Sequence, residues 1–133
     1  MMFTTKTEYG LRAMAVLARV KGEGPISLAQ IAKKEHISQP YLERLFARLK
    51  ADDLVKSAKG VSGGYLLARK PKKISIFEIV EALEGPLAVF YCLLDENTKV
   101  TCSHRECLTK KVWHELQKNI IHTLRKFTLA DLI

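Results

Sequence analysis

The sequence predicts a mainly α-helical chain with one small β-hairpin, and three observations carry that prediction. Apolar residues return at three- and four-residue steps through most of the chain, the period of helices that bury one face. Two capping boxes, Ser27-Leu28-Ala29-Gln30 and Ser75-Ile76-Phe77-Glu78, mark helix starts, each with a hydroxyl for an orphan amide and a side chain reaching back. Between two short strand-like runs lies the glycine-rich stretch Lys59-Gly60-Val61-Ser62-Gly63-Gly64, a hairpin loop too long for a minimal turn.

The first helix is expected from Thr7 to Val20, on Gly10, Ala13, Met14, Leu17 and Val20, and Gly22-Glu23-Gly24-Pro25 ends it. The first capping box then opens a short second helix with Leu28, Ile31 and Ala32 on its buried face. Ile37-Ser38-Gln39-Pro40 reads as a turn: Ser38 caps, and Pro40 sits in the first helical turn, where a missing amide hydrogen costs nothing. Leu42, Leu45, Phe46 and Leu49 give the third helix its core stripe, leaving Tyr41, Glu43, Arg44, Arg48 and Lys50 on its other faces. Leu54–Ala58 and Tyr65–Ala68 read as the two strands. The second box starts a fourth helix with Ile76, Ile79, Val80 and Leu83 inward, stopped by Gly85-Pro86. Residues 87–106 read as irregular. From about Leu108 a last helix carries Trp113, Leu116, Ile120, Leu124 and Phe127, with Val112 and Ile121 alongside. No internal repeat or low-complexity segment interrupts this order.

Of the 133 residues, 47% are hydrophobic and 27% charged, ordinary for a folded domain and against wholesale disorder. No apolar run approaches a membrane span, and Glu8 and Arg12 interrupt any signal-peptide core, so the cytoplasm is the expected location. The net charge of +8 is unevenly placed: residues 1–75 hold 15 Lys and Arg against 6 Asp and Glu, whereas residues 76–133 hold 7 against 8. A basic body with a near-neutral tail suggests that the first part meets a polyanion. Charge alone fits nucleic acid or an anionic membrane equally, so motifs must decide. An enzyme is not expected, because there is no Ser-His-Asp order and no phosphate-cradling loop, and Gly60–Gly64 has no helix after it.

Three helices followed by a hairpin, with a tight turn before the third, is the order of a winged helix-turn-helix. The expected DNA-binding domain spans residues 1–86. Ser38, Gln39 and Tyr41 lie at the N-terminal end of the third helix, which enters the major groove deepest and whose dipole favours phosphate. Arg44 and Arg48 suit phosphate or guanine, and Glu43 suits a cytosine amino group. The wing adds Lys56, Lys59, Ser62 and Gly63, with glycines permitting close approach to a narrow groove. Against this stands the reading of solvated charges on an ordinary three-helix unit, or of a winged helix that binds protein. The agreement of charge sign, helix order and glycine-rich wing favours a double-stranded DNA operator.

Several stretches go beyond a generic winged helix. They are Thr5-Lys6-Thr7-Glu8-Tyr9-Gly10-Leu11-Arg12-Ala13-Met14, Ile26-Ser27-Leu28-Ala29-Gln30-Ile31-Ala32 and Ser38-Gln39-Pro40-Tyr41-Leu42-Glu43-Arg44-Leu45-Phe46. Farther on come Leu54-Val55-Lys56-Ser57, Gly63-Gly64-Tyr65-Leu66-Leu67, Ile79-Val80-Glu81-Ala82-Leu83-Glu84-Gly85-Pro86 and Cys107-Leu108-Thr109 with Trp113. Together they resemble the Rrf-two family of winged-helix transcription regulators, above all its IscR/NsrR-type iron–sulfur members, with the cluster-free CymR type a more distant comparison. The resemblance implies a repressor whose residues 108–133 form a dimerisation helix and tail, so that a homodimer reads a near-palindrome with half-sites ~34 Å apart. The apolar stripe of that helix supports the same homodimer, because so short a chain has little core left to cover it; the alternative is a helix folded back onto its own domain.

Cys92, Cys102 and Cys107 stand with nine and then four residues between them, in an expected sensor loop of residues 87–107. An odd, clustered set in a cytoplasmic chain points to metal or redox chemistry and away from a disulfide framework. The resemblance implies an iron–sulfur cluster here, 2Fe-2S or 4Fe-4S, although cluster-binding relatives have shorter, more even gaps. Where IscR-type members place a His three residues after the last cysteine, this chain has Lys110. Other relatives use a carboxylate near the start of the first helix, and Glu8 matches that position, with His104 and His114 as alternative fourth ligands. The same residues suit a zinc site, and bare thiols suit a redox switch. No membrane partner and no small-molecule substrate are expected.

Overall fold

The structure, a computed structural model, describes residues 3–20, 23–58, 63–94 and 107–133. Helix α1 spans Thr5–Arg19, two residues earlier than the apolar period suggests, because the Thr4 side chain accepts from the Lys6 amide and caps it there. Helix α2 spans Leu28–Glu35 with both halves of its capping box formed. His36 ends it in a left-handed conformation, φ 54°, and redirects the chain into the turn before the next helix. Helix α3 spans Gln39–Ala51, with the Ser38 side chain accepting from the Tyr41 amide and a proline in its first turn. Strands β1, Val55–Ala58, and β2, Gly64–Leu67, pair antiparallel with Val55 opposite Leu67. Helix α4 spans Ile76–Glu84 behind the second capping box, and helix α5 spans Lys110–Lys126.

The core is where the predicted stripes converge. Leu42, Leu45, Phe46 and Leu49 of α3 are all buried, against Ala13, Met14 and Leu17 of α1, Ile31 of α2 and Ile79 and Leu83 of α4. Gly10 sits where α1 meets α4, and any Cβ there would run into a methyl of Leu83. The two helices therefore approach more closely than an alanine would permit. The chain after α5 returns to this core. The Phe127 carbonyl accepts from Ile76 at 2.9 Å, Leu129 donates to the Ile74 carbonyl at 3.0 Å, and the Leu129 side chain is fully buried. Burying one leucine contributes about 1.5–3 kcal/mol, so this tail is part of the N-terminal core in energetic terms.

The hairpin has a third participant that the apolar pattern did not reveal. Ile26, between α1 and α2, pairs with Tyr65 through both backbone bonds, at 3.1 and 2.8 Å. Gly64 makes this possible. Its φ is +139°, and a Cβ would lie 2.6 Å from the backbone carbonyl atoms of Ile26. The Tyr65 ring then packs on Phe46 with centroids 4.9 Å apart, which fixes the base of the wing to the underside of α3.

Candidate nucleic-acid interface and cysteine segment

The sequence-predicted DNA set divides into residues that stand free and residues that the fold already uses. Ser38, Gln39, Glu43 and Arg44 are exposed at the start and on the outer side of α3. Glu43 and Arg44 make no hydrogen bond or ion pair with another described residue. Tyr41 is half-buried: its hydroxyl lies 3.2 Å from that of Thr5, and its ring meets Tyr9 edge-on at 5.9 Å. Arg48 is exposed, yet its Nη1 donates to the Leu83 carbonyl at 2.8 Å, across to the end of α4. Lys50 donates to the Ser57 hydroxyl at 3.0 Å and ties α3 to β1. Lys56 is exposed on β1 and Gly63 half-buried beside β2, while Lys59 and Ser62 lie outside the described residues. What remains presented outward is a polar helix start at the positive end of the helix dipole, followed by a carboxylate and a guanidinium without partners among the described residues.

Beyond α4 the chain turns at Gly85, φ +84°, and enters the cysteine segment. Gln117 of α5 holds this segment by both ends of its amide, accepting from the Val89 amide at 3.0 Å and donating to the Leu93 carbonyl at 3.1 Å. Phe90 meets Trp113 edge-on at 5.3 Å. A 3₁₀ turn, Tyr91–Leu93, then presents Cys92 to solvent. Cys107 is also exposed and unbridged, just before α5, with its Sγ 3.4 Å from the Thr109 hydroxyl. That hydroxyl, with the Thr109 and Lys110 amides and the Lys110 charge, draws the Cys107 thiol below its ordinary range. Cys102 and His104 lie outside the described residues.

Glu8 is exposed on α1 and pairs with Arg12 at 3.1 Å, and His114 is exposed on α5. Among the described residues, no three His, Cys, Asp or Glu side chains gather as a metal-holding group. One chain therefore does not bring Glu8, Cys92, Cys107 and His114 together. In chemistry the donor set still suits iron, because two accessible soft sulfur ligands are present and one is drawn toward the thiolate form.

The apolar stripe of α5 divides in the same way. Trp113, Ile120, Ile121 and Leu124 are half-buried, and the Arg125 guanidinium lies 4.4 Å from the Phe77 ring centroid, so α5 leans on α4. Val112 and Leu116 remain 61% and 44% exposed, and Leu108 ahead of them 93%. Sequence reasoning missed two residues here. Glu84 accepts from the Thr4 amide and from both the Thr4 and Thr7 hydroxyls, and Gln117 bridges the segment to α5. A polar residue on an otherwise apolar helix face was the available signal for Gln117. Nothing local marks Glu84. No helix among the described residues is long and apolar enough to cross a membrane.

Solved structures resemble this arrangement over nearly its whole length. An IscR from T. potens superposes with a TM-score of 0.80 at 40% identity, covering 99% of this chain and 85% of that one. CymR of B. subtilis, described as its global cysteine regulator, superposes with a TM-score of 0.84 at 34% identity, covering 99% and 95%. IscR of Sodalis glossinidius is 35% identical across the full chain and 79% of its own length. The family pattern described as "Iron-dependent Transcriptional regulator" matches residues 3–133. With its winged-helix fold, this chain belongs to the Rrf2 family of DNA-binding transcriptional regulators.

Proposed function

We propose that this chain works in the cytoplasm as a homodimeric repressor. Residues 1–86 bind a DNA operator, residues 87–107 sense through cysteines, and residues 108–133 join two copies. The observation that carries the DNA reading is the outer side of α3, where Gln39, Glu43 and Arg44 are left free by a core that consumes the other faces. Arg44 supplies phosphate or guanine contact, Glu43 discriminates by accepting from a cytosine, and Lys56, Lys59, Ser62 and Gly63 serve the wing. Gel shifts on genomic duplex fragments test this, because binding must weaken steeply with salt. Binding indifferent to salt and to sequence would leave a protein-interaction module instead.

For sensing, the favoured reading is an iron–sulfur cluster held by Cys92, Cys102 and Cys107, with Glu8 of the second copy as fourth ligand and His104 or His114 as alternatives. Such a group supplies a centre responsive to iron supply, oxygen, nitric oxide or redox state. The chain's own part is mechanical. Cys92 sits within a turn that follows α4, and Cys107 precedes α5, so holding both thiols ties the two helices together across the segment. Anaerobic purification with visible absorbance and assays of iron and sulfide tests the reading. A colourless, iron-free protein after reconstitution, with Cys92→Ala behaving as wild type, would reject it.

One observation favours a second reading, a cluster-free thiol regulator. Cys107 is exposed beside the Thr109 hydroxyl at the start of a helix, a setting that stabilises a thiolate without any metal. The likeness to CymR of B. subtilis points the same way. Alkylating the thiols of the iron-free protein and measuring operator affinity separates the two readings.

A further inference from the structure

Three separate parts of the chain meet at the C-terminal end of α4. The methyls of Leu83 fill the space left by Gly10 of α1, and Glu84 takes the hydrogen bonds of Thr4 and Thr7. From α3, Arg48 donates to the Leu83 carbonyl at 2.8 Å. Two residues after Leu83, Gly85 turns the chain into the segment bearing Cys92, which Gln117 pins at Val89 and Leu93.

The Arg48 bond is informative because burial does not enforce it. Arg48 is exposed and lies on the same helix as the free Arg44, so its guanidinium has solvent and phosphate as alternatives. The Leu83 carbonyl is one of the last four of α4, which have no partner inside the helix, and it lies at the negative end of the helix dipole. A cation is favoured there on both counts. This bond links α3 directly to the end of α4 from which the cysteine segment departs.

We propose that Arg48 is a positioning residue that couples the Cys92 segment to α3 through the Leu83 carbonyl. The proposal rests on the reading of α3 as the DNA-reading helix. A change in residues 87–94 acts on Gly85 and tilts the last carbonyls of α4. Arg48 then keeps or loses its acceptor, and α3, with Glu43 and Arg44 on its outer side, is set differently against α4. Bonded and released Arg48 are the two states of one element, and both the segment and DNA bias it.

The test uses the full chain and a duplex that the wild-type protein selects from a random pool, with Arg48→Met, Gln117→Ala and the double variant. Gln117→Ala releases the segment without touching DNA-facing residues. It is expected to change operator affinity about tenfold in the wild-type background and less than about twofold beside Arg48→Met, as for two residues in one network. The salt slope of Arg48→Met should equal that of wild type, because no phosphate contact is lost. Effects that simply multiply, with a slope reduced by about one, would overturn the proposal and make Arg48 a phosphate ligand. A second measurement needs no DNA: amide exchange of residues 85–94 should quicken by about threefold or more in Arg48→Met. Unchanged exchange there would overturn the coupling even if DNA binding stands. Failure of the wild-type chain to select any duplex would instead remove the reading of α3, a result distinct from both.

Discussion

The Thr7 hydroxyl donates to the Glu84 carboxylate across 2.8 Å, closing the first turn of α1 onto the last turn of α4. Thr4 adds its amide at 2.9 Å and its hydroxyl to the same oxygen. This clamp holds the helix that carries Glu8 against the helix that leads into the cysteine segment.

Glu84→Ala is expected to cost about 1–3 kcal/mol in chemical denaturation, since it strands the buried Thr7 hydroxyl and removes the two bonds from the exposed Thr4. The pH dependence has a definite sign. Partial burial raises the Glu84 pKa, but the bonds from Thr4 and Thr7 outweigh it and leave the group below the ordinary carboxylate range. A depressed folded-state pKa contributes stability above the unfolded value and loses it as pH falls through the folded one. The gap between wild type and Glu84→Gln should therefore be full near neutrality and shrink in acid. A gap that widens in acid would contradict the assignment.

Gly64→Ala should destabilise the chain by about 2 kcal/mol or more, because a side chain is strained at φ +139° and its Cβ would meet the Ile26 backbone. Thermal unfolding of this variant beside Gly24→Ala gives a control, since Gly24 has a positive φ of 90° but open space around it. Equal losses at both positions would show that contact with Ile26 contributes nothing.

On α3, Arg44→Ala should weaken binding to all duplexes and reduce the salt slope by about one, if it meets phosphate. Glu43→Ala should instead leave the slope and relax discrimination at one base pair, by about 1–3 kcal/mol. Competition binding against single-base variants of the operator measures both effects.

Replacing Leu116 by Glu places a charge in the exposed apolar face of α5 while sparing Trp113, Gln117 and Leu124, which serve the chain's own packing. Sedimentation should show loss of the dimer, with helical content unchanged. A Leu116→Glu protein that sediments as wild type does would move the joining surface elsewhere.

Cys107 should react with iodoacetamide with a midpoint below the ordinary thiol range, because the Thr109 hydroxyl and amide favour its thiolate. Thr109→Val is expected to move that midpoint upward, read from alkylation rates across pH. An unmoved midpoint would remove Thr109 as the cause.

Local patterns make most of the architecture legible in the sequence. The stripe Leu42, Leu45, Phe46 and Leu49 and both capping boxes depend on spacings within one helix turn or two, and each formed as spaced. The candidate site was less legible. Tyr41 and Arg48 read as free surface because their partners, Thr5 and Leu83, are 36 and 35 residues away. Cys102, His104, Lys59 and Ser62 lie outside the described residues.

By itself the sequence determined helix order, the capped starts of the second, third and fourth helices, the paired strands and the family, since periodicity, caps and glycines act over a few residues. Tertiary structure alone decided which side chains were left over for function. It drew Leu129 back into the core, paired Ile26 with Tyr65, and engaged Arg48, Glu84 and Gln117 in contacts between helices. The reason is physical: a donor or a methyl finds its partner by proximity in space, and only the packed fold determines which distant residue stands within 3 Å.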